Sequence, residues 1–354
     1  MDAQISQGSD PNNQYLLTAL SYPQPNAQGF GAQRRHASIL SALKKCINVR
    51  LCPLTALEPP TGESSPLLVL GWDSLIRLTQ KLHLLPSRLW LDLDELPSKR
   101  EESMANQGSI KRKAFHRLLE KRFLPTCECI FLSSQVEREH LLKAHPSLDE
   151  SRVYVWPNVV EPLPLLDQSE VQPPTILFVG HLLYYPNHQG LSWFVEKVLP
   201  RLRTALPSLQ LLVAGAGSER FAPQPGLHCF GRVDDLQPYY QRCHLAVAPI
   251  FSGGGTRLKI LEAFAYGRVV VSTSFGALGL EVQHEKHLLL ADSVETFADS
   301  IVRVLQDLPL HEALKSSARH WVGQNHTPAI LQSIVKTTLL TEGLLPYRKP
   351  ELGY

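Results

Sequence analysis

The sequence predicts an α/β protein with two domains, each built around a parallel sheet. Short apolar runs alternate with segments of helical periodicity along the chain, and this alternation is typical of βαβ units. A length of 354 residues favours two domains over one. The stretch from Glu161 to Pro174 has prolines at positions 162, 164, 173 and 174, and it predicts the linker between the domains.

The N-terminal half is predicted to hold six strands with helices between them. The first strand covers residues 15–20 and enters a loop rich in proline and glycine. An amphipathic helix through Ile39 and Leu43 follows that loop. The later strands are predicted at 49–52, 67–70, 88–92, 129–133 and 153–157.

The C-terminal half repeats this alternation. Strand-and-turn segments are predicted at 175–182 and 209–217, and a helix is predicted through 187–190 and 193–202. The stretch 227–236 and a helical segment around Tyr239 follow. A short apolar run at 245–251 predicts a buried parallel strand, which leads directly into a run of three glycines.

Composition and charge exclude several classes of protein. The net charge of +2 gives no sign of nucleic-acid binding, so no nucleic-acid partner is expected. The six cysteines lack zinc-ligand spacing, which indicates reduced thiols in a cytosolic protein. The N-terminus lacks the pattern of a signal peptide, and no apolar run approaches the ~18 residues that span a membrane. We therefore expect a cytoplasmic protein.

The segment from Ser252 to Glu262, with the sequence SGGGTRLKILE, carries the strongest chemical signal. Three glycines open a predicted helix and let a ligand approach bare backbone. The N–H groups and partial positive charge of a helix N-terminus suit phosphate. Arg257 and Lys259 add positive charge where helices usually carry acids, which favours an anionic ligand. Glu262 is then placed to accept hydrogen bonds from a ribose.

The order of these motifs resembles the C-terminal nucleotide-sugar domain of the family 4 glycosyltransferases. The resemblance is close over residues 175–306, and its closest form carries the loop GGGTRLKILEA, found here at 253–263. The N-terminal half resembles the family more weakly, through the loop from Pro23 to Arg35, the segment from Ser134 to Arg138, and Pro157 to Val159. The resemblance implies a retaining enzyme of the GT-B fold, whose two Rossmann-like domains face each other across a cleft.

The resemblance also implies domain bounds, a co-substrate and site residues. It gives an acceptor-side domain at 1–165, a nucleotide-sugar domain at 166–325, and a tail at 326–354 that packs back on the first domain. The co-substrate would be a nucleoside-diphosphate sugar, with no metal required, and the acceptor a glycan, a lipid-linked molecule or a small molecule. The catalytic residues would be Arg257, Gly254 and Gly255. The donor-binding residues would be Gly29, Gly31, Arg34, Gly180, His181, Arg232, Val233, Gly253, Thr256, Leu258, Lys259 and Glu262.

Three departures from the family pattern fall in the expected site. His181 and Gln189 stand where most members have an arginine and a lysine that grip the diphosphate, and Gly254 stands where many have a glutamate. These losses fit either a nucleotide-binding pseudoenzyme or a variant active site. We favour the variant site, because Arg257 and Lys259 restore positive charge in the same region. A non-catalytic binding subunit, and an epimerase or phosphorylase on the same fold, remain alternatives.

Two charged segments in the N-terminal half invite functional interpretations. Asp92, Asp94 and Glu95 follow a predicted strand, and we place them on the acceptor side rather than at a metal, since they lie outside the donor half. Alternatively, they orient Arg100 or cap the next helix. Residues 99–122 carry eight basic side chains beside apolar ones. This segment is either an ordinary surface helix or, through 99–123, a peripheral contact with the inner face of a membrane.

Overall fold

A computed structural model describes residues 16–21, 31–53, 65–82, 85–104, 107–163 and 173–346. They form two six-stranded parallel sheets with helices around them, which confirms the fold class that the sequence predicts. Gly29, which the resemblance assigns to donor binding, lies outside the described residues.

The N-terminal sheet contains β1 (Leu16–Ser21), β2 (Asn48–Leu51), β3 (Leu67–Leu70), β4 (Leu89–Asp94), β5 (Cys127–Leu132) and β6 (Val153–Val155). The strands lie in the order β2-β1-β3-β4-β5-β6. The helices of this half are α1 (Gly31–Lys44), α2 (Trp72–Lys81), α3 (Pro97–Ser103), α4 (Gln107–Phe123) and α5 (Gln135–Ala144).

The C-terminal sheet contains β7 (Thr175–Val179), β8 (Gln210–Ala214), β9 (Leu227–Cys229), β10 (Leu245–Ala248), β11 (Val269–Ser272) and β12 (Leu289–Leu290). Its order is β12-β11-β10-β7-β8-β9. The helices are α6 (Tyr185–Trp193), α7 (Leu199–Ala205), α8 (Gln237–Gln241), α9 (Leu258–Ala265), α10 (Val294–Gln306), α11 (Leu308–Asn325) and α12 (Pro328–Thr341). A π-helical turn, Phe194–Val198, joins α6 to α7.

The strands follow the apolar runs of the sequence because helices cover both faces of each parallel sheet. Every residue of β3, β10 and β11 is buried. The predicted strand at 129–133 starts two residues earlier, at Cys127. Cys127 and Cys129 point into the core, while Glu128 between them pairs with Arg88 at 3.0 Å. The predicted strand is too short because Glu128 interrupts the apolar run.

The strand order fixes where ligands can bind. In open parallel sheets, ligands bind beyond the carboxyl ends of the strands, at the point where the strand order reverses. In the C-terminal sheet this point lies between β10 and β7, so the turn after β7 and the glycine loop after β10 adjoin. In the N-terminal sheet it lies between β1 and β3, next to the start of α1.

The last helix, α12, returns to the N-terminal sheet. Its residues Leu331, Val335 and Leu339 are buried in one core cluster with side chains of β1 and α1. The indole N–H of Trp156, which follows β6, donates to the hydroxyl of Thr338 at 3.2 Å. The chain therefore crosses between the two sheets twice.

The basic helix α4 differs from the sequence-based expectation. The sequence places its apolar residues on one face, namely Ile110, Ala114, Leu118, Leu119 and Phe123. In the structure Phe123 is buried and Leu119 packs against the core, but Ile110 and Leu118 point away from it and are 72% and 66% exposed. Phe115, which is 52% exposed, joins them. The prediction of a single apolar face is therefore wrong, because helical spacing places these residues on two sides of α4.

A buried ion pair ties α1 to the end of β4. The guanidinium of Arg35 donates to Asp92 at 2.6 Å, and both side chains are almost fully buried. Arg35 also donates to the carbonyl of Trp156 at 2.8 Å and to the side chain of Asn158 at 3.1 Å. The expectation that Asp92 lies on the acceptor side is therefore corrected, since Asp92 and Arg35 satisfy each other inside the domain.

We predict that Arg35→Ala lowers the free energy of unfolding by about 3–5 kcal/mol, because it leaves the Asp92 carboxylate buried without a partner. The exposed Arg50, on β2, is the matched control, and Arg50→Ala should cost no more than about 0.5 kcal/mol. The double variant Arg35→Met/Asp92→Leu should recover part of the loss. Urea unfolding measures all three, and equal midpoints for Arg35→Ala and Arg50→Ala would contradict the assignment.

Candidate active site

The glycine loop, residues 252–257, connects β10 to α9 and faces the N-terminal domain. Gly253 and Gly255 have φ angles of +98° and +67°, a region that L side chains rarely adopt. The sequence places Arg257 in the first turn of α9, but in the structure Arg257 is the residue that precedes this turn. The loop therefore ends at a helix N-terminus whose first N–H groups point out of the helix.

Arg257 folds over this loop. One terminal nitrogen, Nη1, donates to the carbonyl oxygens of Gly254 and, at 3.0 Å, Gly255. Its guanidinium also lies 5.7 Å from the ring centre of Phe275. The buried Nε has no hydrogen-bond partner among the residues that the structure describes. A fixed positive charge thus sits at the end of the glycine loop.

Lys259 extends from the other side of α9. Its ammonium donates to the side chain of Asn187 at 2.9 Å and lies 4.6 Å from the ring centre of Phe178. It also lies 3.0 Å from the point where a Cβ on Gly180 would be. Burial and, to a smaller extent, the charge of Arg257 lower the pKa of Lys259 to about 7, against the opposing charge of Glu262. A cation from α9 therefore reaches the turn after β7, where the family pattern has its own basic residues.

Glu262 and Arg34 meet across the cleft. The carboxylate of Glu262, on α9, forms an ion pair with Arg34, on α1, at 2.5 Å. The Glu262 side chain is nearly buried, and that of Arg34 is partly exposed. Two residues that the sequence assigned to donor binding thus come from different domains and lie in direct contact.

The acidic pair at the end of β4 lies against the glycine loop. Asp94 has a φ of +62°, unusual for a residue other than glycine, and the pairing of β4 with β5 shifts register there. Its carboxylate lies 3.3 Å from the point where a Cβ on Gly255 would be. Glu95 lies against Gly254 and accepts a hydrogen bond from Arg100 at 3.1 Å. The suggestion that these carboxylates orient Arg100 therefore holds for Glu95.

Hydrogen bonds from the N-terminal domain also hold the glycine loop. The Ser103 hydroxyl accepts from the N–H of Gly253 at 2.7 Å. The Asn158 side chain donates to the Thr256 hydroxyl at 2.8 Å. A carboxylate oxygen of Glu137 accepts from the N–H of Gly255 at 3.3 Å.

Asn158 and Glu137 lie in sequence motifs that resemble the family, but the sequence alone gives neither residue a role, and it does not point to Ser103. Asn158 is the one polar residue between Pro157 and Val159, and the N–H of Glu137 donates to the Ser134 hydroxyl that caps α5. Both residues therefore lie in short motifs that the sequence shows. Ser103 lies in no such motif, and its role depends on how α3 meets the other domain.

The remaining predicted donor residues, and Gln189, make contacts with their own surroundings. Gly31 begins α1, and a Cβ there would lie 3.9 Å from Leu258. The carbonyl of His181 accepts a hydrogen bond from Asn187 at 3.0 Å. Gln189 accepts one from Ser252 at 3.0 Å. The Arg232 side chain is 67% exposed and pairs with Asp234, whereas Val233 packs against the C-terminal core.

Two features are absent from the described residues, namely a metal-binding cluster and a membrane-spanning helix. No group of three or more histidine, cysteine, aspartate or glutamate side chains in the described ranges is arranged to hold a metal ion. None of the helices within those ranges is long and apolar enough to cross a membrane.

Comparisons with known proteins bear on this geometry. Residues 173–307 match the family model described as Glycosyl transferases group 1. An uncharacterized 44.6 kDa protein from the cps region of Klebsiella pneumoniae is 26% identical over 183 residues. That match covers 48% of this chain and 47% of the Klebsiella protein, so the chain spans about half the length of this relative.

Solved structures show the same fold. Sucrose-phosphate synthase from Thermosynechococcus elongatus superposes with a TM-score of 0.71 at 15% identity, covering 94% of this chain and 99% of the synthase. Anabaena HepE, in complex with UDP and glucose, superposes with a TM-score of 0.67 at 13% identity, covering 93% of this chain and 100% of HepE. At such identities the likeness shows the GT-B fold alone. The chain thus has the GT-B fold, and its residues 173–307 match the model of the glycosyl transferases group 1 family.

Proposed function

We propose that this protein transfers a sugar from a nucleoside-diphosphate sugar to an acceptor, with retention of anomeric configuration, as a member of glycosyltransferase family 4. The observation that carries the proposal is the placement of Arg257 and Lys259 on two sides of a helix N-terminus, beside the switch point of the C-terminal sheet. HepE, which has this fold, holds UDP and glucose in its structure.

The donor would bind through its diphosphate and its ribose. The N–H groups at the start of α9 and the guanidinium of Arg257 would meet the diphosphate from the loop side. Lys259 would meet it from the turn after β7, next to Gly180 and His181. Because an adjacent anion favours the charged form of lysine, binding would restore the positive charge that burial weakens. Glu262 would bind the ribose hydroxyls after leaving Arg34.

The chemistry follows from where charge develops. As the bond to the sugar breaks, the departing diphosphate gains negative charge, and fixed donors already aimed at it stabilise the transition state. Arg257 and the N–H groups at the start of α9 are held by the fold before any ligand arrives. Two cations at one site supply the charge that a divalent metal supplies elsewhere, so we propose that no metal is required. Asp94, at the cleft edge of β4, would face the acceptor.

Turnover with a panel of UDP-, GDP- and ADP-sugars tests this function. We expect hydrolysis or transfer with at least one donor, and the rate should survive EDTA. Arg257→Ala should lower the rate about 10²-fold or more, and Arg257→Lys should also lower it, because an ammonium cannot form the two parallel bonds of a guanidinium. Arg242→Lys, on an exposed surface, is the matched control.

Saturable donor binding without turnover on any donor would contradict the proposal and favour a binding subunit. Loss of turnover in EDTA with recovery in Mn²⁺ would contradict the proposed absence of a metal. A melting temperature lowered by Arg257→Ala, with the rate per folded molecule unchanged, would give Arg257 a purely structural role in the loop.

We also propose that α4 rests on an anionic membrane surface and that the acceptor is lipid-linked. The outward side of α4 shows three large apolar side chains, Ile110, Phe115 and Leu118, that are more than half exposed. Exposed basic residues surround them, namely Lys111, Arg112, Arg117, Lys121 and Arg122. The only acid of this helix, Glu120, is buried on the opposite side. Apolar side chains ringed by cations match an anionic bilayer surface.

This helix is coupled to the candidate site through α3. Arg112 pairs with Glu101 at 2.8 Å, and Lys113 pairs with Glu102 at 3.0 Å. Ser103, at the end of the same α3, holds Gly253 of the glycine loop. A surface that docks on lipid would therefore lie one helix away from the cleft.

Vesicle co-sedimentation tests the membrane contact. We expect binding to vesicles of phosphatidylglycerol and much weaker binding to phosphatidylcholine. Lys111→Ser/Arg117→Ser should weaken binding roughly 30-fold, at about 1 kcal/mol for each basic residue. Leu118→Ser should also weaken it, whereas Leu308→Ser, which alters an equally exposed leucine on α11, should not. Equal binding to both lipids, or no effect of the α4 variants, would contradict the proposal.

A further inference from the structure

Gly254 is the one glycine of the loop that the backbone does not require. Gly253 and Gly255, on either side, have positive φ angles, but Gly254 does not. Its φ lies outside the left-handed region that favours glycine. The reason for a glycine at position 254 must therefore lie in what surrounds it.

The surroundings are the side chain of Glu95, from the opposite domain. A Cβ added to Gly254 would lie 2.0 Å from Oε2 of Glu95, 2.8 Å from its Cδ and 3.1 Å from its Cβ. No rearrangement of a few tenths of an ångström removes such an overlap. The Glu95 carboxyl group thus occupies the position that a side chain at residue 254 would take.

Glu95 is held firmly in this position. It directly follows β4, and Arg100 on α3 donates to its Oε1 at 3.1 Å. Arg100 therefore fixes one carboxyl oxygen and leaves Oε2 directed at the loop. The Glu95 side chain is only 14% exposed. The result is a buried carboxyl group, oriented by an arginine, at the point where the two domains touch.

The adjoining groups belong to the proposed donor site. Arg257 donates to the carbonyl of Gly254, the same residue that Glu95 covers. The hydroxyl of Tyr184 lies 2.9 Å from the point where a Cβ on Gly253 would be. A donor whose diphosphate meets Arg257 and the start of α9 brings its sugar to this stretch of the loop. Carboxyl and hydroxyl groups are the side chains that bind sugar hydroxyls.

We propose that Glu95 binds hydroxyl groups of the donor sugar, and that the N-terminal domain supplies this carboxyl group across the cleft to the space that Gly254 leaves open. The proposal rests on the function proposed above and names a sugar-binding residue for it. It moves Glu95 from the acceptor side to the donor. Sugar recognition would then require both domains, whereas nucleotide recognition would require only the second.

The protonation of Glu95 gives a second readout. Burial, together with the charges of Asp94 and Glu137, raises the pKa of this carboxyl group to about 7, against the opposing charges of Arg100 and Arg257. Tyr184 also faces it and stays neutral, since burial raises the pKa of that phenol. A carboxylate accepts stronger hydrogen bonds than a neutral acid, so sugar binding through Glu95 should strengthen as pH rises through about 7.

Calorimetry and initial rates test the inference together. Glu95→Ala should weaken binding of the nucleotide sugar about 10- to 100-fold, the value of hydrogen bonds to a charged group, and leave affinity for the nucleoside diphosphate within about 3-fold. Gly254→Glu should abolish sugar binding by overlap with Glu95. The exchange variant Glu95→Gly/Gly254→Glu, which returns a carboxyl group to the same space from the loop, should recover part of it.

The dependence of donor KM on pH distinguishes sugar binding by Glu95 from a purely structural role of this residue. Lys259 titrates in the same range as Glu95, so the profile of donor KM is compared between the parent and Glu95→Gln. The Glu95 contribution near pH 7 should be absent from Glu95→Gln. A profile identical in both proteins would contradict the assignment.

Other outcomes separate this inference from the proposed function. Equal losses of nucleotide-sugar and nucleoside-diphosphate affinity in Glu95→Ala would give Glu95 only a structural role. Unchanged affinity for both ligands would overturn the inference. If the parent protein turns over no donor, the proposed function fails, and the difference between the two affinities still decides whether Glu95 binds the sugar.

Discussion

The structure of the site depends on one contact, in which the glycine loop of the C-terminal domain presses against the end of β4. Glu95 fills the space above Gly254, and Asp94 lies beside Gly255. The approach is close because no side chain projects from the loop at these positions. Ser103 and Asn158 then hold the loop from two further places in the N-terminal domain. The two sides of the cleft are therefore in direct contact at this point, because the glycine loop of the C-terminal domain packs against side chains of the N-terminal domain.

Electrostatics explains why the end of β4 can serve this purpose. The buried pair of Arg35 and Asp92 neutralises charge inside the domain and anchors the strand immediately before Asp94. Asp94 and Glu95 then lie beyond that anchor, facing the cations of the other domain. Arg257 and Lys259 extend from two sides of the N-terminus of α9. Negative groups of the first domain and positive groups of the second therefore lie close together. A nucleotide sugar, with an anionic diphosphate and a neutral polyol, matches this arrangement.

The sequence predicted the parallel sheets and the glycine loop well, because both are local. Buried strands appear as apolar runs, and positive φ angles at Gly253 and Gly255 require glycine. The sequence could not predict which charged side chains form ion pairs with each other. Arg34 and Arg35 are neighbours with the same chemistry, but helix geometry sends one to Glu262 across the cleft and the other into the core. Gly254 appeared as a lost carboxylate, and only the three-dimensional arrangement shows that another carboxyl group lies in its place.

A crystal structure of the protein with a bound nucleoside diphosphate tests the account most directly. We expect the diphosphate to lie between Arg257 and Lys259 at the start of α9. We also expect the Glu262 carboxylate to have left Arg34 and to accept hydrogen bonds from ribose hydroxyls at about 2.7 Å. A nucleotide bound away from this loop, or an ion pair between Arg34 and Glu262 left intact beside a bound ribose, would contradict the account.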